Sequence, residues 1–216
     1  MSERGSIDRD RIVAAARAIL ETRGIDSLSM RALAVALDSK PMTIYHYVSG
    51  KPELLTLVLT QVAEEIDWTP PTGAPRHRMV EVVMDMFARL SDIPWIVPIL
   101  SQGIAVGTPA LILADRFLSA ALEDGCDEQT ALSLWRSASW IAQTELIFRA
   151  SVARRASDET SWHQRLNADD LDDMPVVQSL LPRWGQHSAD YDLRAAITWL
   201  IDGAPRANSP TTPSAD

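Results

Sequence analysis

Residues 29–55 carry the start and stop signals of three helices in close succession, and this spacing constrains the fold more than any other feature. Ser29 is a candidate N-cap for the first of them. Asp38 and the serine after it form a tight turn. Pro41 suits the first position of the next helix, where a missing N–H costs nothing, and Pro52 opens a further helix in the same way. We therefore expect two short helices joined by a turn and followed at once by a third.

Helical spacing of apolar residues recurs along nearly the whole chain, and no Asn-Gly or Asp-Gly hairpin turn separates alternating apolar runs. The sequence therefore predicts an all-α fold. A first helix is expected over residues 7–23, with Ser6 as its N-cap and Asp8 in its first turn. Gly24 supplies a left-handed residue that ends this helix.

Three prolines and one glycine lie in residues 68–75, which makes this segment the best domain boundary in the chain. We predict a helix-turn-helix domain over residues 1–67 and a larger helical domain over 76–202. A disordered tail is expected over 203–216, and a solvated loop over 156–174. Within the larger domain, helices are predicted over residues 76–90, 94–100, 109–123, 128–154, 176–184 and 191–201.

Composition narrows the class of protein. The 216 residues contain no apolar run of about 18 residues and no charged-then-apolar leader, so we expect a cytoplasmic protein with no membrane contact. Cys126 is the only cysteine, which excludes an internal disulfide and a cysteine-based zinc cluster.

The charge is distributed unevenly. The formal net charge is −9, but residues 27–52 hold Arg31, Lys40 and Lys51 against Asp38 alone. A protein surface that binds nucleic acid needs local positive charge. The acidic remainder disfavours a broad nucleic-acid coat, so binding would depend on the fit of this segment.

The residues around the second short helix could contact double-stranded DNA. The major groove is about 12 Å wide and admits a helix, so apolar atoms and an imidazole can reach base edges while hydroxyl and amino groups hold phosphates. A helical hairpin that serves only as scaffold is the alternative interpretation, with Tyr45 as a half-buried packing residue. The candidate DNA-binding residues are Arg31, Lys40, Pro41, Met42, Thr43, Tyr45, His46 and Lys51.

Several short motifs in this region occur together: Gly24 after the first helix, LSMRALA at 28–34, TIYHYV at 43–48, and Lys51 followed by ELL at 53–55. With these motifs, residues 12–55 resemble the TetR-type family of bacterial one-component regulators. The resemblance implies a homodimer that binds a palindromic operator and is released by a small effector. It also implies that Tyr45 and Lys51 hold phosphates, and that Arg31 contacts either a phosphate or a base. Base edges would be read by Pro41, Met42 and His46.

The sequence departs from the family pattern at two positions. Asp38 stands where glycine is usual, and we expect the turn to survive because aspartate tolerates the left-handed conformation better than most residues. Lys40 stands where a capping Ser or Thr is usual. Ser39 could cap the second short helix one residue earlier and so shift its register.

The larger domain is rich in Trp, Met and Phe, which can line an apolar cavity or simply fill a core. Both interpretations stay open from sequence alone. A cavity would take an apolar or aromatic effector. The candidate effector-binding residues are Met84, Phe87, Trp95, Phe117, Trp135, Trp140 and Gln143.

The helix predicted over residues 128–154 is apolar nearly all round, which indicates burial on two sides. One side can face its own domain and the other a second subunit. We expect this helix and the last one to pair with their symmetry mates in a four-helix bundle.

Catalytic motifs are missing from the sequence: there is no HExxH, no CxxC, no GxSxG and no glycine-rich phosphate loop after a strand. We therefore predict no catalytic residue, no metal and no cofactor. The resemblance to the TetR-type family implies a function as a ligand-responsive repressor. The alternatives are a helical small-molecule-binding protein or enzyme with a vestigial helix-turn-helix, and an adaptor that binds only protein. The helix that opens at Pro52 and the helix over residues 76–90 are the expected couplers between the two domains.

Overall fold

The computed structural model describes residues 7–153, 160–167 and 171–206. All regular structure in these residues is helical, which confirms the all-α fold class. The N-terminal domain comprises α1 (Arg9–Arg23), α2 (Met30–Ala36), α3 (Pro41–Tyr45) and α4 (Lys51–Glu64). The larger domain comprises α5 (Pro75–Asp92), α6 (Val97–Leu100), α7 (Leu111–Glu123), α8 (Glu128–Ala153), α9 (Pro175–Leu180), α10 (Trp184–Ala189) and α11 (Leu193–Asp202).

Helix α1 begins two residues later than the sequence predicted. The side chain of Asp8 accepts a hydrogen bond from the backbone N–H of Arg11 at 2.9 Å, so Asp8 is the N-cap and not a first-turn residue. Ser6, the predicted N-cap, lies outside the described residues. Gly24 ends the helix as expected, with φ 74° and its N–H bonded to the carbonyl of Leu20 at 3.0 Å.

The turn between α2 and α3 forms as the sequence predicts. The hydroxyl of Ser29 caps α2 by accepting from the N–H of Ala32 at 3.1 Å. Asp38 adopts the left-handed conformation, with φ 47°. Lys40 is the N-cap of α3 and makes no side-chain capping bond, and the helix starts at Pro41. The alternative register, with Ser39 as the cap, is therefore not adopted.

One continuous cluster of buried apolar residues runs through both domains. In the N-terminal domain it is built from fully buried residues of α1, α2 and α4, including Ile12, Leu33 and Leu54. In the larger domain α5 lies against α7, α8 and α11. Three of the six buried residues of α8 are alanines, whose small side chains let neighbouring helices approach closely.

Several predicted segments differ in detail from the structure. The segment 94–100 divides into a 3₁₀ turn, Pro94–Ile96, and α6, while the segment predicted over 176–184 continues as α10 to Ala189. Part of the predicted loop is also structured: residues 162–164 form a 3₁₀ turn in which Trp162 packs edge-on against Trp184 at 5.4 Å. Most of the predicted tail, residues 207–216, lies outside the described residues. None of the described helices is long and apolar enough to cross a membrane.

Candidate nucleic-acid interface and ligand cavity

Helix α3 is oriented by a single buried side chain. Ile44 is the one residue of α3 that is fully buried, and Val48, four positions later, is buried beside the same core. Residues four apart lie on one face of a helical turn, so the opposite face must point to solvent. Met42 and Tyr45 are accordingly 68% and 47% exposed, and His46 is exposed with them.

The eight candidate DNA-binding residues lie on α2, on α3 and the residues at its two ends, and at the start of α4. Five of them are exposed: Arg31, Lys40, Met42, Tyr45 and His46. The other three are partly buried: Pro41, Thr43 and Lys51. None of the eight is an interior residue, which argues against α3 as a piece of scaffold.

Lys51 has an intramolecular partner that the sequence did not reveal. Its ammonium donates to the backbone carbonyl of Ile25 at 2.9 Å, which ties the start of α4 to the turn after α1. An ammonium group has three N–H donors, so this bond leaves others for a phosphate. Lys51 therefore makes a structural contact and still has donors for a phosphate, at the start of the helix that follows α3.

A second set of bonds fastens the start of α4. The carboxylate of Glu53 accepts from the backbone N–H of Ser49 at 2.7 Å and pairs with the guanidinium of Arg9 at 2.7 Å. The bond from Ser49, followed by the charge of Arg9, holds the pKa of Glu53 below its usual range. These contacts fix the segment that follows α3.

Two further exposed residues near α3 were not predicted as contacts. Tyr47 follows α3 and is exposed, and Val35 on α2 is 82% exposed. Tyr47 belongs to the TIYHYV motif and is a residue type able to touch a phosphate or a base edge, but it was not among the eight candidates. Val35 is an apolar residue outside the inward-facing positions of α2. This position is the one sign in the sequence that its side chain is exposed.

The larger domain provides most of the wall of a cavity of about 550 Å³, to which α4 adds one residue. Its wall includes Thr56 of α4, Trp68 of the link between the domains, Met86 of α5, Leu113 of α7 and Trp135 of α8. Apolar side chains dominate the wall, and its polar side chains are Thr56, Thr108, Ser139 and Gln143. No charged side chain of the described residues lines this cavity.

Two of the seven candidate effector residues, Trp135 and Gln143, line this cavity. Phe117 is fully buried behind it, with its ring 5.4 Å from that of Trp135. Trp140 lies on the outer surface of α8, 57% exposed and under the guanidinium of Arg136. Trp140 follows Trp135 by five residues, about 140° around the helix, so the two rings cannot share a wall.

The remaining three candidates also lie away from the cavity. Met84 lines a separate cleft beside residues 69–72. Phe87 packs under the guanidinium of Arg149, whose carbon is 4.9 Å from the ring centre. Trp95 is partly buried against the core. Sequence reasoning missed Trp68, because it lies in a segment assigned only as a boundary. Met86 belongs to the Trp, Met and Phe residues that could line a cavity, but it was left out of the seven candidates because nothing set it apart from Met84.

The two domains meet where residues 107–110 lie against α4. A Cβ atom on Gly107 would be 2.3 Å from the carbonyl oxygen of Leu59 and 2.9 Å from the backbone nitrogen of Thr60. Only glycine permits so close an approach to a helix backbone. The sequence named α5 as the partner of α4 in coupling, but the extensive contact is made by this turn before α7.

The described residues contain no group of three His, Cys, Asp or Glu side chains placed to hold a metal ion. Cys126 is buried, and this burial raises the pKa of its thiol. Neither observation adds a reactive centre to the α3 surface or to the cavity.

Comparison with known proteins finds relatives of the N-terminal domain. Residues 12–58 match the family described as bacterial regulatory proteins, tetR family. An HTH-type transcriptional regulator from Saccharopolyspora erythraea is 32% identical over 117 residues, 54% of this chain and 49% of the relative. The HTH-type transcriptional repressor DrrR1 from Streptomyces coeruleorubidus is 47% identical over 53 residues, 24% of this chain and 20% of that protein. The chain thus spans about half the length of the first relative and about a fifth of the second.

Solved structures extend the similarity to the whole fold. The TetR family protein ActR from Streptomyces coelicolor, solved in complex with (S)-DNPA, superposes with a TM-score of 0.68 at 24% identity. The match covers 93% of this chain and 100% of ActR. It confirms the arrangement of an N-terminal helix-turn-helix domain and a larger helical domain. Residues 12–58 are therefore similar to the tetR family of bacterial regulatory proteins, and nearly the whole chain shares its fold with ActR.

Proposed function

We propose that the protein is a homodimeric transcriptional repressor that binds a palindromic operator through α3 and releases it when a small uncharged effector occupies the cavity. The observation that carries this proposal is the outward face of α3, where Met42, Tyr45 and His46 are exposed while Ile44 holds the helix on the core. A helix presented in this way fits the major groove. The relatives named as a transcriptional regulator and a repressor support the proposal.

The roles within the interface follow from chemistry. Tyr45 and Lys51 would hold phosphates together with Lys40 and Thr43, and these contacts carry no sequence information. Pro41, Met42 and His46 would touch base edges, with apolar atoms against thymine methyl groups and the imidazole against a purine. Arg31 on α2 reaches either a phosphate or a guanine.

Mobility shift with a duplex selected by the full-length protein from a random pool tests this assignment. Tyr45→Ala and Lys40→Ala should weaken binding to all sequences, and loss of the Lys40 charge should reduce the salt slope by about 1. His46→Ala should instead relax the preference at one base pair by about 1–3 kcal/mol. Ser119→Ala, an exposed change on α7, is the control. Unchanged affinity and preference in all three interface variants would contradict the proposal.

The effector site is supported by the cavity. Its volume of about 550 Å³ suits a small organic molecule, and its wall offers aromatic surface and four neutral polar side chains. A charged molecule would lose hydration there without gaining an opposite charge. ActR, which has this fold, has been solved with a small molecule bound. The effector would act by population shift: it would bind more tightly to a state in which the α3 helices of the two subunits are wrongly spaced for the operator.

The homodimer is supported by the outer surface of α8 and α11. These helices contact each other, and their outward residues include Trp140 and Trp199, the second 73% exposed. Leu132 and Phe148 are further exposed apolar residues of α8. Large apolar patches on a protein surface mark interaction sites. Sedimentation at micromolar concentration should show a dimer, and Trp199→Glu should shift it towards monomer.

The cavity alone would equally suit a helical small-molecule-binding protein with a vestigial helix-turn-helix. The exposed face of α3 favours the regulator, since a vestigial helix has no reason to keep Tyr45, His46 and Lys40 together in solvent. A protein that binds an operator acts where the DNA is, so we propose that this one is cytoplasmic.

A further inference from the structure

Trp68 touches both the cavity and α4. Its ring forms part of the cavity wall. Its indole N–H donates to the backbone carbonyl of Ala63 at 2.9 Å, in the last turn of α4. The last carbonyls of a helix have no partner within the regular helical pattern, so such bonds fix the position of a helix end. The same carbonyl also accepts from the N–H of Ile66, at a longer 3.4 Å.

The surroundings of Trp68 hold this link in place. The guanidinium of Arg89 on α5 donates to the carbonyl of Asp67 at 3.3 Å, so the residue before Trp68 is tied to the larger domain. Thr56 lies seven residues before Ala63, about two turns along α4, and it also lines the cavity. Thr56 of α4 therefore borders the cavity, and Trp68 connects the C-terminal end of α4 to the same wall.

We propose that Trp68 senses the occupant of the cavity and passes its presence to α4 through the hydrogen bond to Ala63. This inference rests on the proposed function and names a residue for its regulation. The occupant is an uncharged aromatic molecule, because its recognition depends on stacking against an indole in a wall without charges. A molecule that displaces the indole must lengthen or break the bond to Ala63. The end of α4 then shifts, and α4 follows directly after α3 in the chain.

A coupling of this kind is reciprocal: if an occupant weakens DNA binding, DNA weakens binding of the occupant by the same factor. The test therefore uses N-phenyl-1-naphthylamine, an uncharged aromatic fluorophore, as the probe. Its dissociation constant is measured with the full-length protein alone and with a saturating duplex selected by that protein. The ratio of the two constants is the coupling factor, for which about 5–150 is typical.

Trp68→Phe keeps an aromatic ring in the wall and removes the N–H donor. We expect probe affinity without DNA to change to a similar extent in Trp68→Phe and in Trp135→Phe, and the coupling factor to fall to about 2 or below in Trp68→Phe alone. Trp135→Phe is the matched control, because Trp135 lines the cavity on α8. It should alter probe affinity and leave the coupling factor as in the wild type. A benzothienylalanine at position 68, which matches indole in shape but lacks the N–H, provides a second variant if Trp68→Phe folds poorly.

The outcomes separate the two levels of the proposal. A coupling factor that stays at the wild-type value in both position-68 variants overturns the role of Trp68. The role of Trp68 is also overturned if the duplex does not change the affinity of the wild-type protein for the probe. Failure of the protein to select any duplex overturns the proposed function instead.

Discussion

The α3 surface and the cavity place their functional side chains in opposite directions. On α3 the candidate contacts point into solvent and one isoleucine, Ile44, points inward. In the cavity the lining side chains point inward, and they are the same residue types that fill the surrounding core. Tyr, His and Lys on a short helix are conspicuous because a core would not contain them, whereas Trp and Met beside a cavity look like ordinary packing. A surface site is therefore far easier to recognise in a sequence than an internal one.

The largest effect should come from removing the anchor of α3. Ile44→Ala deletes a fully buried side chain and should lower the free energy of unfolding by about 2–5 kcal/mol, as measured by urea denaturation. DNA binding should fall with it, because α3 loses its orientation. Val35→Ala changes a neighbouring residue that is exposed, and should alter stability by less than about 0.5 kcal/mol. Equal effects from the two variants would show that α3 is not held as described.

The contrast between a filled core and a cavity can be tested by the same substitution in each domain. Ala16 is fully buried in the N-terminal core, so Ala16→Leu should overpack it and cost about 1–3 kcal/mol in thermal unfolding. Ala114 on α7 lines the cavity, so Ala114→Leu has space to occupy. It should leave stability nearly unchanged while weakening the binding of N-phenyl-1-naphthylamine. If Ala114→Leu destabilises the protein as much as Ala16→Leu, the space is not a cavity in solution.

The contact between the domains should tolerate no side chain at position 107. Gly107→Ala places a Cβ atom against the backbone of α4, which cannot yield as a flexible side chain could. We expect a loss of about 1–3 kcal/mol in unfolding free energy and a changed coupling between cavity and DNA. Gly203→Ala, at a glycine with φ −75°, should cost less than about 1 kcal/mol. If Gly107→Ala changes neither the unfolding free energy nor the coupling, residue 107 does not pack against α4 as described.

The smallest effect concerns pH. The pKa of Glu53 is lowered in the folded protein, so the unfolded state binds its proton more readily and the stabilisation is present above the ordinary glutamate pKa of about 4.3. It is lost as pH falls through the lowered value. Glu53→Gln should be slightly less stable than the wild type at pH 7, and the difference should vanish in strong acid. A difference that grows as pH falls would contradict the bonds drawn for Glu53.

The N-terminal domain could be predicted closely because its signals are local. Gly24, Ser29 and Pro41 each act within one helical turn, and the left-handed conformation of Asp38 follows from the same short-range chemistry. The predicted N-cap of α1, Ser6, was wrong. Ser6 and Asp8 are both residue types that can cap a helix, and the backbone geometry makes Asp8 the cap.

The cavity could not be predicted residue by residue because its wall is assembled from five separate segments. Trp135 and Trp140 are alike in sequence, and only the packing of α8 turns one inward and the other outward. Trp68 belongs to a link whose proline content indicated a boundary and nothing more. Its bond to Ala63 joins residues only five apart, but no cap or turn pattern in the sequence marks it.

Hydrogen exchange of the full-length protein with and without its selected duplex tests the central claim most directly. The account predicts that DNA slows exchange chiefly in residues 29–51, which carry α2, α3 and the start of α4. Slowed exchange confined to residues 75–202, with α3 unaffected, would contradict it.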